Sequence, residues 1–325
     1  MNKLISIAIP LYNEAESLPE LLAWIDKVLV DSSLEAEVIL VDDGSTDESW
    51  QVIEELSSSY PYIRAMRFAR NYGKAAGLHC AFQAARGDVL ITMDADLQDS
   101  PDEIPELVRM IREDGYDLVS GWKKKRYDPL SKTIPTKLYN WATRKMSGIH
   151  LHDFNCGLKA YRTKVVKQIE LYGDMHRYVP VLAKRMGYEK IGEKVVQHRP
   201  RKYGKTKYGL SRFIKGPLDL LTLGFVSTYG KRPMHLFGTL GSISFVIGFL
   251  MVGYLILSKL YAMYHEIPAK NIATMSAFYI ALTAMVIGAQ LFIGGFVAEL
   301  VRGTDPERNR YMIDETLESA AAKSL

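Results

Sequence analysis

Two carboxylates one residue apart, Asp94 and Asp96, follow the apolar run Asp88–Met93 (DVLITM). A strand that ends there carries both side chains to one point on a sheet edge. Hard oxygen ligands suit Mg²⁺ or Mn²⁺, and Mg²⁺ is commonly held by one or two carboxylates together with substrate phosphates. Gln98 can add an amide oxygen. A lone pair of this kind also serves in strand-end turns and helix caps. Here two more polar clusters follow apolar runs: Tyr12-Asn13-Glu14 after Leu4–Pro10, and Asp42-Asp43-Gly44-Ser45 after Glu37–Val41. A turn into a capped helix accounts for the second cluster locally. It does not account for two adjacent carboxylates facing the edge that bears Asp94-Ala95-Asp96. A carboxylate there can accept a hydrogen bond from a nucleobase or a ribose hydroxyl.

The elements that must position these clusters alternate along the chain. Strand patterns at Leu4–Pro10, Glu37–Val41, Tyr62–Phe68, Asp88–Met93 and Tyr116–Ser120 are separated by helical patterns. Those helices are predicted at Glu16–Leu29, Thr46–Leu56 (N-capped by Ser45 or Thr46), Gly73–Ala85 and Pro101–Arg112. The pattern predicts an α/β fold, a mostly parallel sheet with helices on both faces. Ligands of such sheets bind beyond the carboxyl ends of the strands, where the polar clusters fall. After Gly121 a basic run, Lys123 to Arg126, leads into a helix near Leu130–Met146. HDFNCGLKAYR (His152–Arg162), a short helix near Tyr178–Met186 and a strand near Lys190–His198 come next. A second basic stretch holds Arg199, Arg201, Lys202, Lys205 and Lys207.

Apolar residues are concentrated toward the C-terminus. Leu236–Ser258 and Asn271–Ala298 contain no charged residue, and at about 1.5 Å per residue each exceeds a hydrocarbon core of about 30 Å. The alternative is a pair of buried helices in a soluble protein. Small residues recur in both spans (Gly238, Gly241, Gly248; Gly288, Gly294, Gly295), as where membrane helices pack closely, and they leave room for a homo-oligomer. The predicted organisation is a domain over 1–210, amphipathic interfacial helices over 211–234, a transmembrane hairpin over 235–301 and a tail over 302–325. Lys231 and Arg232 before the hairpin, and Arg302, Arg308 and Arg310 after it, favour a cytosolic placement of the domain and both termini. The first residues carry no signal peptide, because their apolar run is too short. With 41 Lys and Arg against 37 Asp and Glu, the charge is too balanced for a dedicated nucleic-acid binder. Two distant cysteines, Cys80 and Cys156, support neither a disulfide framework nor a thiolate zinc site.

PLYNE, VDDGSTD, NYGKAAG and DADLQDSP, in that order, resemble the inverting GT-A glycosyltransferases of the dolichol-phosphate mannose synthase and bactoprenol glucosyltransferase type. HDFNCGLKAYR and RPRKYGKTKYG match later signatures, and the two-helix anchor is similar to that of bacterial polyprenyl-phosphate glycosyltransferases. The resemblance implies a Rossmann-like GT-A domain. It implies that Pro10, Tyr12, Glu14 and Asp42, with Asp43, hold the nucleoside and that Lys74 lies near the nucleotide. Asp94, Ala95 and Asp96 would meet the diphosphate, and Asp94, Asp96 and Gln98 would hold Mg²⁺ or Mn²⁺. Asp153 matches an aspartate near the reacting sugar and, with Asp96, forms the expected catalytic pair; its other reading is a turn cap. Arg201 and Lys207 match an acceptor-side basic motif, with Thr206 in place of a serine; alternatively they bind anionic headgroups. Lys123 stands near a family arginine and is expected with Arg201 and Lys207 at the acceptor phosphate, although a lysine cannot form the same bidentate fork. His152 and His198 are not expected to be ligands, since the oxygen-rich site suits a harder cation.

The reaction so implied is inverting transfer of a sugar from a nucleotide diphosphate sugar to a polyprenyl (undecaprenyl) phosphate at the bacterial plasma membrane. Glucose from UDP-glucose is the first expectation. Mannose from GDP-mannose, N-acetylglucosamine and an aminoarabinose derivative are alternatives. A processive polysaccharide synthase would need more spans and a QxxRW-like motif, which is missing. A catalytically dead scaffold would not need the acidic pair, and a transporter would be expected to carry charge in its spans.

Overall fold

The computed structural model of the chain describes residues 4–124, 130–171, 173, 175–203, 233–268, 271–303 and 313–317. All seven residues of β1 (Ile5–Leu11) are buried, as expected of a central parallel strand covered on both faces. β2 (Ala36–Asp42), β3 (Ile63–Phe68) and β4 (Val89–Thr92) run parallel to it. α1 (Leu18–Ser32) closes over them with Leu18, Leu21, Leu22, Ile25, Val28 and Leu29, one face at helical spacing. α2 (Ser49–Ser59), α3 (Lys74–Ala84) and α4 (Ile104–Arg112) complete the alternation. Pro101–Glu103, predicted as the start of the last of these helices, is a separate 3₁₀ turn. α2 begins three residues later than predicted. Ser45 and Thr46 do not cap it; their hydroxyls bond to Asn13 instead.

The sheet order is β7-β5-β6-β4-β1-β2-β3-β8, with β5 at Leu118–Trp122, β6 at Lys159–Arg162, β7 at Ile191–Val195 and β8 at Ile313–Leu317. Pairings β1–β2, β1–β4, β2–β3 and β5–β7 are parallel; β6 is antiparallel to both β4 and β5, and β8 to β3. The chain extends from β1 through β2 to β3, then returns to lay β4 on the other side of β1. That reversal opens a crevice at the carboxyl ends of β4 and β1. The sequence pattern does not reveal β6, whose KAYR lacks an apolar run although Lys159, Ala160 and Tyr161 are all buried. Nor does it reveal β8, which lies within the predicted tail. The sheet and β8 form one compact unit, and two long helices form a second. Lys207 and most of the predicted interfacial helices of 211–234 lie outside the described residues.

The two long helices are Pro233–Tyr264 and Ser276–Gly303, of which Met234–Tyr264 and Ser276–Ala298 are long and apolar enough to cross a membrane. The charge-free run that starts at Asn271 enters its helix only at Ser276, because Ile272–Thr274 forms a 3₁₀ turn. Their apolar side chains face outward, Leu250 64% and Ile280 63% exposed, which argues against soluble core helices. The pair packs backbone to backbone. A Cβ on Gly288 would stand 2.6 Å from Gly241 O and Phe245 N, and one on Gly241 2.6 Å from Gly288 O. Ser244 Oγ donates to Ala284 O at 2.8 Å across the same seam. Part of the small-residue pattern is therefore used inside the hairpin. Gly288→Ile should force the helices apart and cost about 1–3 kcal/mol by overpacking, read as a lower melting temperature in detergent. Gly253→Ile, where a Cβ meets nothing within 4 Å, is the control expected to melt with the wild type.

Candidate active site

Three turns, each at the carboxyl end of a central strand, meet in the crevice. Pro10 sits within β1 opposite Val41, and Tyr12 and Glu14 follow in the turn beyond Leu11. Asn13 adopts a left-handed conformation (φ 52°), and its N–H donates to Ser45 Oγ at 2.8 Å while its Oδ1 accepts from Thr46 N–H at 2.8 Å. Glu14 N–H donates to Ser49 Oγ at 2.9 Å. The first and second turns are thus stapled to each other. Asp42 Oδ1 accepts from Ser45 N–H at 2.8 Å, and Oδ2 is buried with Arg67 Nε at 3.7 Å. Burial pushes the Asp42 carboxyl up from its usual range. Asp43 accepts from Tyr72 N–H at 2.7 Å and from Gly73 N–H at 2.9 Å. It thereby fixes the entrance of α3, whose first residue is Lys74.

Lys74 brings its ammonium to the Asp94 carboxylate as an ion pair. Asp96 lies one residue on; Leu97 takes a left-handed φ of 60°, and Gln98 N–H returns to Asp96 Oδ1 at 3.2 Å. Burial would raise Asp94, but Lys74 and Lys123 outweigh it and hold the carboxyl well below the usual range. Asp96 goes the other way, pushed up to about 6 by burial and by the neighbouring charges of Asp94 and Asp99. Lys123 does not reach out as a surface cation. Its side chain is 11% exposed and pairs with buried Asp99 at 2.6 Å, which keeps it protonated despite the loss of solvent. Arg201 pairs with Glu14 and lies 3.9 Å from Asp96 Oδ2. Its segment is stitched to the acidic turn, with Arg199 N–H on Gln98 O at 2.9 Å and Asp99 bridged to His198.

The segment leading into β6 runs against the acidic turn. Asp153 is buried; its Oδ1 accepts from Asn155 N–H at 3.0 Å and its own N–H donates to Glu193 Oε1 at 3.1 Å. One carboxylate oxygen thus does cap a turn. Gly157 passes directly beneath Asp94, since a Cβ there would stand 2.5 Å from Asp94 Oδ2. His152 stacks on Trp122 (4.1 Å between centroids) and meets Glu193 through Nδ1 at 2.7 Å.

Two more polar side chains were missed from sequence. Lys159 sits on β6 opposite Thr92 and Ser120, 3% exposed, and donates to Cys156 O. Burial draws its ammonium pKa down, with Lys74 acting in the same direction and Asp153 and Asp94 opposing it. A lysine inside a strand segment was the available signal. His176 lies in the 3₁₀ turn Met175–Tyr178, which packs on α3. Burial, with Lys74, Arg177 and Lys159 close by, drives its pKa well below the usual histidine value, so the ring is neutral at pH 7. No spacing in the sequence marks it.

Among the described residues no three His, Cys, Asp or Glu converge on one point. The donors that fit a hard divalent ion are Asp94, Asp96 and the Gln98 amide oxygen. The upward push on Asp96 from Asp94 and Asp99 marks a crowding of negative charge that such an ion would relieve. An ion held by so few protein ligands completes its shell with substrate oxygens and water.

A mixed sheet of this order, with an Asp-x-Asp turn at the carboxyl end of β4, defines the GT-A class of glycosyltransferase folds. The chain belongs to glycosyl transferase family 2, whose model matches residues 6–170. It is 33% identical over 309 residues to the dodecaprenyl-phosphate galacturonate synthase of Rhizobium johnstonii, covering 92% of this chain and 88% of that protein. It is 34% identical over 326 residues to the undecaprenyl-phosphate 4-deoxy-4-formamido-L-arabinose transferase of Aeromonas hydrophila subsp. hydrophila, covering 99% and 96%. Among solved structures, glucosyl-3-phosphoglycerate synthase from Mycobacterium tuberculosis in complex with UDP shares the fold at 19% identity (TM-score 0.54, 69% of this chain and 80% of that one). The same enzyme in complex with Mn²⁺ and UDP-glucose aligns with TM-score 0.53 at 20% identity, over 69% and 78%.

Proposed function

We propose that this glycosyltransferase moves a sugar from a nucleotide diphosphate sugar to a polyprenyl phosphate, with inversion at the anomeric carbon. The observation that carries the reading is the pairing of an acidic turn ringed by Lys74, Lys123 and Arg201 with two helices fit to span a membrane. Near-full-length relatives whose names state polyprenyl-phosphate sugar transfer support it. Pro10, Tyr12, Glu14 and Asp42 bind the nucleoside; Asp43 sets the entrance of α3 so that Lys74 faces the diphosphate. Asp94, Asp96 and Gln98 would hold Mg²⁺ or Mn²⁺, which would supply Lewis-acid stabilisation of the leaving diphosphate. Lys123 keeps the acidic turn in place through Asp99.

The acceptor phosphate is largely dianionic at neutral pH, its second pKa being about 6. Its oxygen forms the new bond to the anomeric carbon as the bond to the diphosphate breaks, so no proton has to be removed. Asp153 therefore serves to position the sugar or to offset positive charge developing at that carbon. Arg201 and Lys207 offset the repulsion between two anionic substrates. Arg201 must exchange Glu14 for phosphate as the acceptor arrives.

Glucose, the sugar expected from sequence, has no counterpart in the names of the two polyprenyl-phosphate relatives. Galacturonate and 4-deoxy-4-formamido-L-arabinose are the donors to try first. The return of β8 to the sheet after the second long helix supports a hairpin that crosses the membrane twice. With the flanking basic residues, it favours a cytosolic catalytic domain and C-terminus. The test is a transfer assay on purified protein in detergent, with undecaprenyl phosphate, Mn²⁺ and radiolabelled UDP- and GDP-sugars, with and without chelator. Label entering the lipid phase from one donor, and lost with chelator, is the expected result. Label reaching water or a soluble acceptor but never the lipid would sink the polyprenyl reading.

A further inference from the structure

We propose that Glu193 is a positioning residue for Asp153: from the neighbouring strand β7, its carboxylate clamps the backbone that presents Asp153 to the transferred sugar. The inference rests on the role given to Asp153 in the proposed reaction and adds the group through which that role is set.

The segment 151–157 lies between the helix Leu130–Ser147 and β6 and belongs to neither. Buried peptide groups in such a stretch need side-chain partners. Glu193 stands on β7 in register with Ser120 of β5. Its Oε1 accepts from His152 N–H at 2.7 Å and from Asp153 N–H at 3.1 Å, while Ser120 Oγ donates to Asp153 O at 3.2 Å. Two adjacent strands, at one level of the sheet, thus hold the N–H and the C=O of Asp153. Asn140 fastens the residues on either side: its Nδ2 donates to His152 O at 2.8 Å and its Oδ1 accepts from Phe154 N–H at 3.4 Å. The second Glu193 oxygen, Oε2, meets His152 Nδ1 at 2.7 Å, and that ring stacks on Trp122.

Hydrogen bonds from backbone N–H to a carboxylate are about twice as strong as neutral ones, which suits a group that fixes geometry. Asp153 is buried and its Oδ1 is tied to Asn155 N–H, so the direction of its side chain follows from its backbone. Four residues on, the same segment carries Gly157 beneath Asp94. The clamp therefore sets where Asp153 stands relative to the acidic turn. Glu193 commits both oxygens to this segment, so its influence on the reaction passes through Asp153.

The test is a cycle of four full-length proteins in detergent: wild type, Glu193→Ala, Asp153→Ala and the double variant. Turnover is read as label entering undecaprenyl phosphate with Mn²⁺ and the donor that the transfer assay selects; isothermal titration with UDP and GDP reports the rest of the site. Glu193→Ala should lower kcat by about 10²-fold, the effect of a misplacement of about 1 Å. Nucleotide affinity should change by less than about twofold. Glu193→Gln keeps an oxygen for the two N–H groups and should stay within about tenfold of wild type. In the Asp153→Ala background, Glu193→Ala should cost less than about a further twofold. The same loss with and without Asp153, unchanged turnover in Glu193→Ala, or loss of nucleotide binding in both Glu193 variants overturns the proposal. A fully active Asp153→Ala would instead overturn the role of Asp153 on which it rests, and the proposal with it.

Discussion

Asp96→Ala is expected to lower kcat at saturating donor by about 10²–10³-fold, the range for removing one preorganised electrostatic partner of a transition state. Asp96→Asn should lose nearly as much, because shape is kept while the charge is removed. Stability should not fall with activity. In the absence of ion, burial and the charges of Asp94 and Asp99 push the Asp96 carboxyl up to about 6, so its ionised form is disfavoured in the folded protein. Removing it relieves that repulsion, and the ion-free variant should melt no lower than the wild type at pH 7. The same carboxyl gives the reaction an acid limb. A proton held at Asp96 below about pH 6 competes with the ion, so apparent Mn²⁺ affinity is full above that range and falls as pH drops through it. Raising Mn²⁺ should move the limb to lower pH. Turnover profiles at two Mn²⁺ concentrations check this, and a limb that stays fixed would assign the titration to another group.

Most of the sheet was legible because β1 and β2 are apolar runs of a length only a buried strand uses, ending in polar turns. The acidic turn was legible for the same reason: Asp94 and Asp96 stand where an apolar run stops. What stayed hidden depends on contacts between distant segments. β6 reads as KAYR, and only its place between β4 and β5 buries Lys159 and Tyr161. Asp43 and Asp42 look alike in sequence. The fold gives Asp43 to the backbone of Tyr72 and Gly73 and leaves Asp42 with the Ser45 turn. Lys123 reads as one residue of a basic surface run, yet Asp99 draws it inside. His176 is held against α3 by the packing of its turn, which no local spacing encodes.

Gly157→Ala should lower kcat by about 10²-fold while the domain remains folded, the cost expected when a reacting geometry is displaced by about 1 Å. No backbone conformation special to glycine is involved, so the effect must come from space. A methyl group on residue 157 would stand 2.5 Å from Asp94 Oδ2, 2.7 Å from its Cγ and 2.9 Å from its Oδ1. The backbone cannot easily withdraw, because Gly157 O accepts the Thr92 hydroxyl at 2.8 Å and β6 follows within two residues. The Asp94 carboxylate has to turn instead, and turning strains its pair with Lys74 and its alignment with Asp96. The clash is with one side chain, so it predicts a specific non-additivity. In an Asp94→Ala background the carboxylate is gone, and adding Gly157→Ala should cost little further activity. Donor turnover in the four proteins of that cycle decides the matter. If Gly157→Ala costs the same factor with and without the Asp94 carboxylate, the glycine serves the fold of its own segment and not the placement of Asp94.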